Sequence, residues 1–362
     1  MRFTSVRCIL IIAPILNILV HHPAFSQIKT LNGGVISEQR IDQVLKDKMH
    51  SFNIPGLSVA IINDGHIVYQ RALGVANITS HKNVDAQTLF EAASLTKPIF
   101  AYFTLRMVEK GILQLDTPLY KYLPPQDFDY DERYKLITAR MVLDHSSGLP
   151  NWRSDNPGME MSIAFTPGTA FSYSGEGYYY LAKVIAHLTG TNLVSIANLI
   201  QSEVFTPLNM RQAYIIWSDS LRQHMAIGYD EKRQPRKPWE PKVFNAASSL
   251  FTEAGSYANF VIALMEEKGL TAAHFHEMLE SRIPVPVGNT IRKFFGYTGW
   301  GLGIAMRPSP YGILYCHGGT NEDFESGFMF SKEKQVGYVF FINTNKGVKM
   351  GEVMDKLMGI VD

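Results

Sequence analysis

The chain has 362 residues, of which 46% are hydrophobic and 19% are charged, and its formal net charge at pH 7 is +1. This composition is typical of a globular protein, and the length allows two lobes around one cleft. The sequence has no long run of lysine or arginine, which excludes the basic footprint of a nucleic-acid-binding protein or a polybasic membrane surface. We therefore expect a small molecule or a short peptide as partner, and no nucleic acid.

The first 26 residues differ in composition from the rest of the chain. Arg2 and Arg7 lead into the apolar run CILIIAPILNILV, and small residues precede Gln27. This pattern predicts a secretory signal peptide over 1–26, because the run is too short for a comfortable membrane span of about 20 residues. Cleavage would give a periplasmic or secreted protein with no integral membrane span, and an uncleaved anchor is the alternative.

Two cysteines are present, and they do not form a disulfide framework. Cys8 lies inside the predicted signal peptide, so Cys316 would have no intramolecular partner even in an oxidising compartment. Cys316 ends the apolar run ILYC, which is more typical of a buried strand cysteine than of a catalytic thiol.

The remaining elements predict an α+β fold. Residues 37–51 have helical spacing, and two β-rich runs then meet at Asp64-Gly65, a strong hairpin signal. The pattern is mostly helical from about 95 to 290, becomes β-rich again after Trp300, and ends in a helical tail. We predict one catalytic domain over 27–362, with an antiparallel sheet built from both chain ends, flanking helices, and a mostly helical middle lobe beside a cleft.

The pattern Ser-x-x-Lys occurs at 26–29, 94–97 and 331–334. The first lies at the predicted signal junction and the last in a charged turn, whereas Ser94 and Lys97 begin a helical segment and share one face of it. A buried lysine with a lowered pKa can accept the serine proton, and N–H groups at a helix start favour an oxyanion. Taken alone, the segment also fits a capping serine beside a solvated lysine.

Further segments follow this one in a fixed order. The set comprises FEAASLTKP at 90–98, LDHSSGLPNW at 143–152, PGTAFSYSGEGYYYLAKVIAHLTG at 167–190 and YCHGGT at 315–320. Together they resemble the serine hydrolases of the class C β-lactamase and low-molecular-weight penicillin-binding-protein family. The resemblance implies Ser94 as nucleophile and Lys97 as its activator, with Tyr173 sharing proton transfer. A literal Tyr-x-Asn at Tyr257 has helical spacing around it, and we predict a surface or packing helix there.

The segment YCHGGT matches the third motif of the family. The resemblance implies that His317 lines the cleft and that Gly318 and Gly319 let a substrate lie along the strand edge. It also implies that the N–H of Thr320 is a second oxyanion donor beside that of Ser94.

Two positions depart from the family pattern. Gly175 replaces the asparagine that holds the acyl-amide group of the substrate. His317 replaces a lysine, and we expect it to carry positive charge only below about pH 6.5. Both changes weaken the expected recognition of a β-lactam or of the carboxylate of a D-alanyl-D-alanine peptide. A cleft with these two changes should accept esters at least as well as those substrates.

The sequence therefore predicts an exported serine hydrolase that acts through a Ser94 acyl-enzyme on D-alanyl peptides, β-lactams or related amides, with cell-wall fragments among the expected partners. An esterase on the same fold is one alternative, and a non-catalytic ligand- or peptidoglycan-binding protein is another. We expect no cofactor and no metal, since His274 and His276 would point apart on a helix.

Overall fold

The computed structural model describes residues 27–361, so the predicted signal peptide and Cys8 lie outside the described part. The strands in chain order are β1 (Gln27–Lys29), β2 (Val35–Ser37), β3 (Gly56–Asn63), β4 (His66–Asn77), β5 (Lys82–Asn83), β6 (Phe90–Glu91), β7 (Ala213–Tyr214), β8 (Phe251–Thr252), β9 (Ile283–Pro284), β10 (Gly299–Trp300), β11 (Ala305–Ser309), β12 (Gly312–Asn321), β13 (Phe324–Ser331) and β14 (Val336–Ile342). The main sheet has the order β5-β4-β3-β14-β13-β12-β11-β10-β9, and its neighbouring strands are antiparallel.

Strands from both ends of the chain meet at the centre of this sheet. Strand β14 pairs with β3, with Phe340 opposite Val59, so the α+β architecture predicted from the two β-rich regions is confirmed. All residues of β3 and β14 are buried, because helices cover the sheet on both faces.

The helices in chain order are α1 (Glu38–Phe52), α2 (Thr96–Glu109), α3 (Ala139–Leu143), α4 (Gly175–Leu188), α5 (Ile196–Ile200), α6 (Ala254–Met265), α7 (Ala272–Leu279), α8 (Thr290–Phe295) and α9 (Gly347–Leu357). Ser37 caps α1 by accepting the N–H of Arg40, and α1 ends where Asn53 adopts a left-handed conformation. Nowhere between residues 27 and 361 is a helix long and apolar enough to cross a bilayer.

Two hydrophobic cores lie on opposite faces of the sheet. Along β14, Val339 and Phe341 face the core shared with α2, α4 and α6, whereas Tyr338 and Phe340 face the core shared with α1 and α9. This alternation is the period of two expected of a strand. It places the helical middle segment on one face of the sheet and the two terminal helices on the other.

The sheet also creates a free strand edge. Strand β11 pairs with β12 only as far as Ala305 opposite Cys316, and in the described chain no strand continues along β12 beyond that point. The segment His317–Asn321 stays paired with β13 on its other side. Its unpaired edge borders the turn that leads into α2.

Candidate active site

Ser94 lies in a 3-10 turn, Ala93–Leu95, immediately before α2. Ala93 has φ +50°, a left-handed conformation that costs a non-glycine residue about 1 kcal/mol or more. Thr96 holds this strained turn, because its hydroxyl donates to the Ala93 carbonyl at 2.6 Å and accepts the N–H of Leu250 at 3.0 Å. The turn therefore presents Ser94 to the cleft in a fixed position.

Lys97 is fully buried in the first turn of α2. Its Nζ lies 3.2 Å from Ser94 Oγ and donates to the Ala247 carbonyl at 3.0 Å. Across residues 27–361, no carboxylate forms an ion pair with this amine. Burial lowers the pKa of Lys97 to about 7, so neutral amine is present at neutral pH. The structure thus brings together the serine and the base that the spacing predicts.

Tyr173 lies in the loop before α4, and its ring lies close to the amine of Lys97. The centre of its ring is 4.7 Å from Lys97 Nζ. Burial raises the pKa of the phenol well above its usual value, and a hydrogen bond with Ser94 offsets only part of that rise. The resting site therefore holds a protonated phenol that can donate or relay a proton, rather than a phenolate base.

Tyr257, the tyrosine of the literal Tyr-x-Asn, belongs to the core. It is fully buried in α6, its ring lies against Phe328 and Phe341, and its hydroxyl donates to the Leu95 carbonyl at 2.9 Å. The helix predicted around Tyr257 is present, and it is a packing helix rather than a surface one.

His145 holds Tyr173 in place, although the sequence analysis did not single it out. Its carbonyl accepts the N–H of Ser172 at 2.8 Å, and its Nδ1 accepts the N–H of Ser174 at 3.0 Å. The two rings lie against each other with centroids 4.2 Å apart. Burial keeps the pKa of His145 well below its usual value, so Nδ1 remains a neutral acceptor. The residue was available in LDHSSGLPNW, but only the fold shows what it contacts.

The glycines of YCHGGT fit two different environments. A Cβ at Gly319 would overlap the Ala92 carbonyl and lie 2.5 Å from Ser326 Oγ, so only glycine lets β12 pass this close to the turn that holds Ser94. A Cβ at Gly318 would meet only the Ser326 carbonyl at 3.9 Å, which leaves open space beside the strand.

The N–H of Thr320 points to the free edge of β12. Asn321 and Phe324 close a two-residue turn, and such a closing pair exchanges ladder hydrogen bonds. Alternation along the strand then directs the Thr320 N–H away from β13, to the edge on which Cys316 meets β11. The N–H of Ser94, at the start of a helical turn, is the second donor available to an oxyanion.

His317 is buried and neutral. Burial, together with the nearby Lys97, lowers its pKa to about 3. Its Nδ1 donates to the Gly318 carbonyl at 2.8 Å, and within the described residues its buried Nε2 has no partner. The expectation that His317 gains positive charge below about pH 6.5 is therefore wrong, because burial disfavours the imidazolium. The side chain offers a hydrogen-bond acceptor, not a cation.

Gly175 lies behind the cleft surface rather than on it. The N–H groups of Gly175 and Glu176 donate to the Asn151 carbonyl, each at 3.1 Å. A Cβ at Gly175 would lie 2.7 Å from that oxygen and 3.0 Å from the Trp152 ring, so no asparagine fits there. Asn151 lines the cleft instead, and its Oδ1 lacks a partner in the part of the chain described. An amide is thus present near Ser94, supplied by a different segment.

A cavity of about 460 Å³ opens at Ser94. Tyr173, His317 and Thr320 line it, and so does Phe294, a residue that is 66% exposed. No three His, Cys, Asp or Glu side chains converge as metal ligands anywhere in 27–361. Cys316 also lines the cavity, and burial raises the pKa of its thiol to about 12, so it is not a competing nucleophile.

Comparison with known proteins places this geometry in context. Residues 41–362 match the family model described as Beta-lactamase. Protein flp of Staphylococcus aureus is 23% identical over 332 residues, which cover 85% of this chain and 64% of that protein, so the chain spans less than two thirds of its length.

Solved structures share the fold at low sequence identity. The octameric penicillin-binding protein homologue from Pyrococcus abyssi has a TM-score of 0.75 and 22% identity, over 90% of this chain and 78% of that one. D-alanine carboxypeptidase AmpC from Burkholderia cenocepacia has a TM-score of 0.74 and 19% identity, over 89% and 98%. The fold is therefore the β-lactamase/transpeptidase-like fold.

Proposed function

The chain belongs to the Beta-lactamase family of serine hydrolases, and from that premise we propose that it is an exported enzyme that forms an acyl-enzyme on Ser94. The observation that carries the proposal is the 3.2 Å contact between Ser94 Oγ and the buried amine of Lys97. A solvated lysine is protonated at neutral pH and accepts no proton, whereas burial makes this amine a base.

Acylation follows from the positions of these groups. Ser94 Oγ forms a bond to the substrate carbonyl carbon while its proton passes to Lys97 Nζ, and the carbonyl electron pair moves onto oxygen. The N–H groups of Ser94 and Thr320 stabilise that oxyanion. When the tetrahedral intermediate collapses, the bond to the leaving group breaks, and the leaving group takes the proton from Lys97 through the Tyr173 hydroxyl. Water then attacks the ester and regenerates Ser94 by the same transfers in reverse.

The substrates that we propose are D-alanyl peptides, β-lactams or related amides, with simple esters as the second candidate. Asn151 supports the amides, because it lines the same cavity as Ser94 and its buried Oδ1 has no partner in the described chain. The neutral His317 supports the esters, because it supplies no positive charge for a substrate carboxylate. The apolar run before Gln27 is the basis for proposing export to the periplasm or the medium.

Substitution of two tyrosines tests the proposed role of Tyr173 in proton transfer. We expect Tyr173→Phe to lower kcat by about 100-fold or more, the range for a positioned proton-transfer group. Tyr257→Phe should keep kcat near the wild-type value and lower the free energy of unfolding by about 1 kcal/mol, since its hydroxyl bonds only the Leu95 carbonyl. Turnover is measured with a nitrophenyl ester, a chromogenic cephalosporin and a D-alanyl-D-alanine peptide. Loss of turnover in the Tyr257 variant alone would overturn the assignment.

A further inference from the structure

The cavity that opens at Ser94 continues between strands β12 and β13 and helix α9. Four glycines line this part, namely Gly318, Gly327, Gly347 and Gly351. A Cβ at Gly351 would meet nothing within 4 Å. A substrate seated on Ser94 can therefore extend past Thr320 into the gap beside α9.

Carboxylates dominate the charge of this gap. Glu325, Glu352 and Asp355 line it, and Arg307 is the one Lys or Arg that lines it among residues 27–361. The guanidinium of Arg307 lies 2.8 Å from the Asp355 carboxylate, which also accepts a hydrogen bond from the Tyr338 hydroxyl. The charge of Arg307 is therefore balanced within the wall by Asp355, and its buried Nη2 has no partner in the described part of the chain.

Apart from Asp355, which pairs with Arg307, two carboxylates line the gap. They belong to Glu325 and Glu352, and we call these two residues the acidic wall. Glu325 is half-buried next to Thr320, and its carboxylate accepts the N–H of Gly347 at the start of α9. Glu352 is exposed on α9 and lines the cavity. A ligand carboxylate in the gap would meet the charge of Glu352 and that of Glu325, which the Gly347 N–H and the nearby Lys346 partly offset, whereas His317 is neutral.

The mouth of the cavity is apolar. Ile291 and Phe294 of α8 line it on one side, and Val348 of α9 lines it on the other. The side chains of Phe294 and Val348 are 66% and 38% exposed. This rim favours an uncharged aliphatic or aromatic portion of a substrate over a charged, strongly hydrated one.

We propose that the acidic wall makes this site select uncharged or cationic esters and amides and reject substrates whose carboxylate enters the gap beside α9. The proposal rests on the proposed acyl-enzyme function and narrows it. D-alanyl peptides with a free terminal carboxylate and β-lactams with a ring carboxylate are then the disfavoured members of the substrate range.

Charge reversal on α9 tests the proposal. Two matched sets of esters are used, one with a carboxylate, carboxamide or trimethylammonium group on the acyl chain and one with the same groups on a phenol leaving group. Each kcat/KM is divided by the value for the carboxamide member, so that general effects on catalysis cancel. Low ionic strength preserves the interaction between partly exposed charges.

For Glu352→Lys, the ratio of kcat/KM for the carboxylate ester to kcat/KM for the trimethylammonium ester should rise about 10-fold or more in at least one set. The reversed charge should raise kcat/KM for the carboxylate ester and lower it for the trimethylammonium ester. Glu132→Lys is the matched control, because it makes the same charge change at a side chain that is 76% exposed and lies outside the cavity. Its ratio should stay at the wild-type value.

Three results have distinct meanings. A wild-type preference for the trimethylammonium ester that Glu352→Lys reduces supports the proposal. An unchanged ratio in both sets, or a wild-type preference for the carboxylate ester, overturns it while leaving the acyl-enzyme function intact. Failure of the wild type to hydrolyse any carboxamide ester, together with no labelling of Ser94, overturns the proposed function and this inference with it.

Discussion

Among residues 27–361, no carboxylate lies beside Lys97, so its amine is buried without an opposite charge to compensate it. The pKa falls to about 7 for that reason, whereas an ion pair would have kept the amine protonated. The same burial acts on His317, whose pKa falls to about 3. One physical cause thus makes the lysine a base and removes the charge from the histidine.

The activity of the free enzyme should follow the protonation of Lys97. We expect kcat/KM for a neutral ester to rise as pH increases through about 7 and then to level off, because protonated amine cannot accept the Ser94 proton. His317 stays neutral, so its titration should contribute no change to the ratio of kcat/KM for anionic and neutral substrates between about pH 5 and about pH 9. Both expectations are checked by measuring kcat/KM for a neutral and an anionic substrate across this pH range. A rate that falls as pH passes upward through 7 would contradict the role of Lys97.

Some properties of these residues follow from the sequence and others do not. The spacing of Ser94 and Lys97 fixes their contact, because i and i+3 share a helix face. The charge of His317 depends on which side chains bury it, and the role of His145 depends on a loop brought to it from residues 172–174. Such contacts between distant segments leave no periodic signal in the chain.

At the level of elements, the start of α4 depends on a neighbouring loop. The carbonyl of Asn151 accepts the N–H groups of Gly175 and Glu176, which a helix start would otherwise leave unpaired. The loop can approach this closely only because residue 175 has no side chain. The sequence identifies Gly175 as a departure from the family motif, but it does not reveal that Asn151 occupies the space.

Gly175→Asn should therefore damage the site rather than restore a substrate contact. We expect this variant to lose about 1 to 3 kcal/mol in the free energy of unfolding, the usual cost of overpacking, and to lose turnover of esters and amides alike. Gly190→Asn is the control, since Gly190 follows α4 with open space around it and asparagine tolerates its left-handed conformation. Urea denaturation and kcat measure the two effects. Wild-type stability with faster amide turnover in Gly175→Asn would show that Asn151 can move aside.

On the scale of the whole molecule, the hydrophobic runs at both chain ends predict the central strands of the main sheet but not its two-residue strands β5, β9 and β10. Parts of the fold without such runs were not predictable. The small sheet of β6, β8 and β7 consists of two-residue strands, which are too short to carry a period of two. The cavity beside α9 is lined by glycines from β12, β13 and α9, and only the folded chain brings them together.

This fold holds the hydroxyl of Ser94 against the buried amine of Lys97, which makes Ser94 the expected nucleophile. Labelling of the folded protein with a fluorophosphonate probe, followed by intact mass and peptide mapping, tests this assignment most directly. We predict a single adduct on Ser94 that is absent from Ser94→Ala and retained in Ser331→Ala, which changes the Ser-x-x-Lys serine at the end of β13. Full labelling of Ser94→Ala, or an adduct that maps to Cys316, would contradict the account.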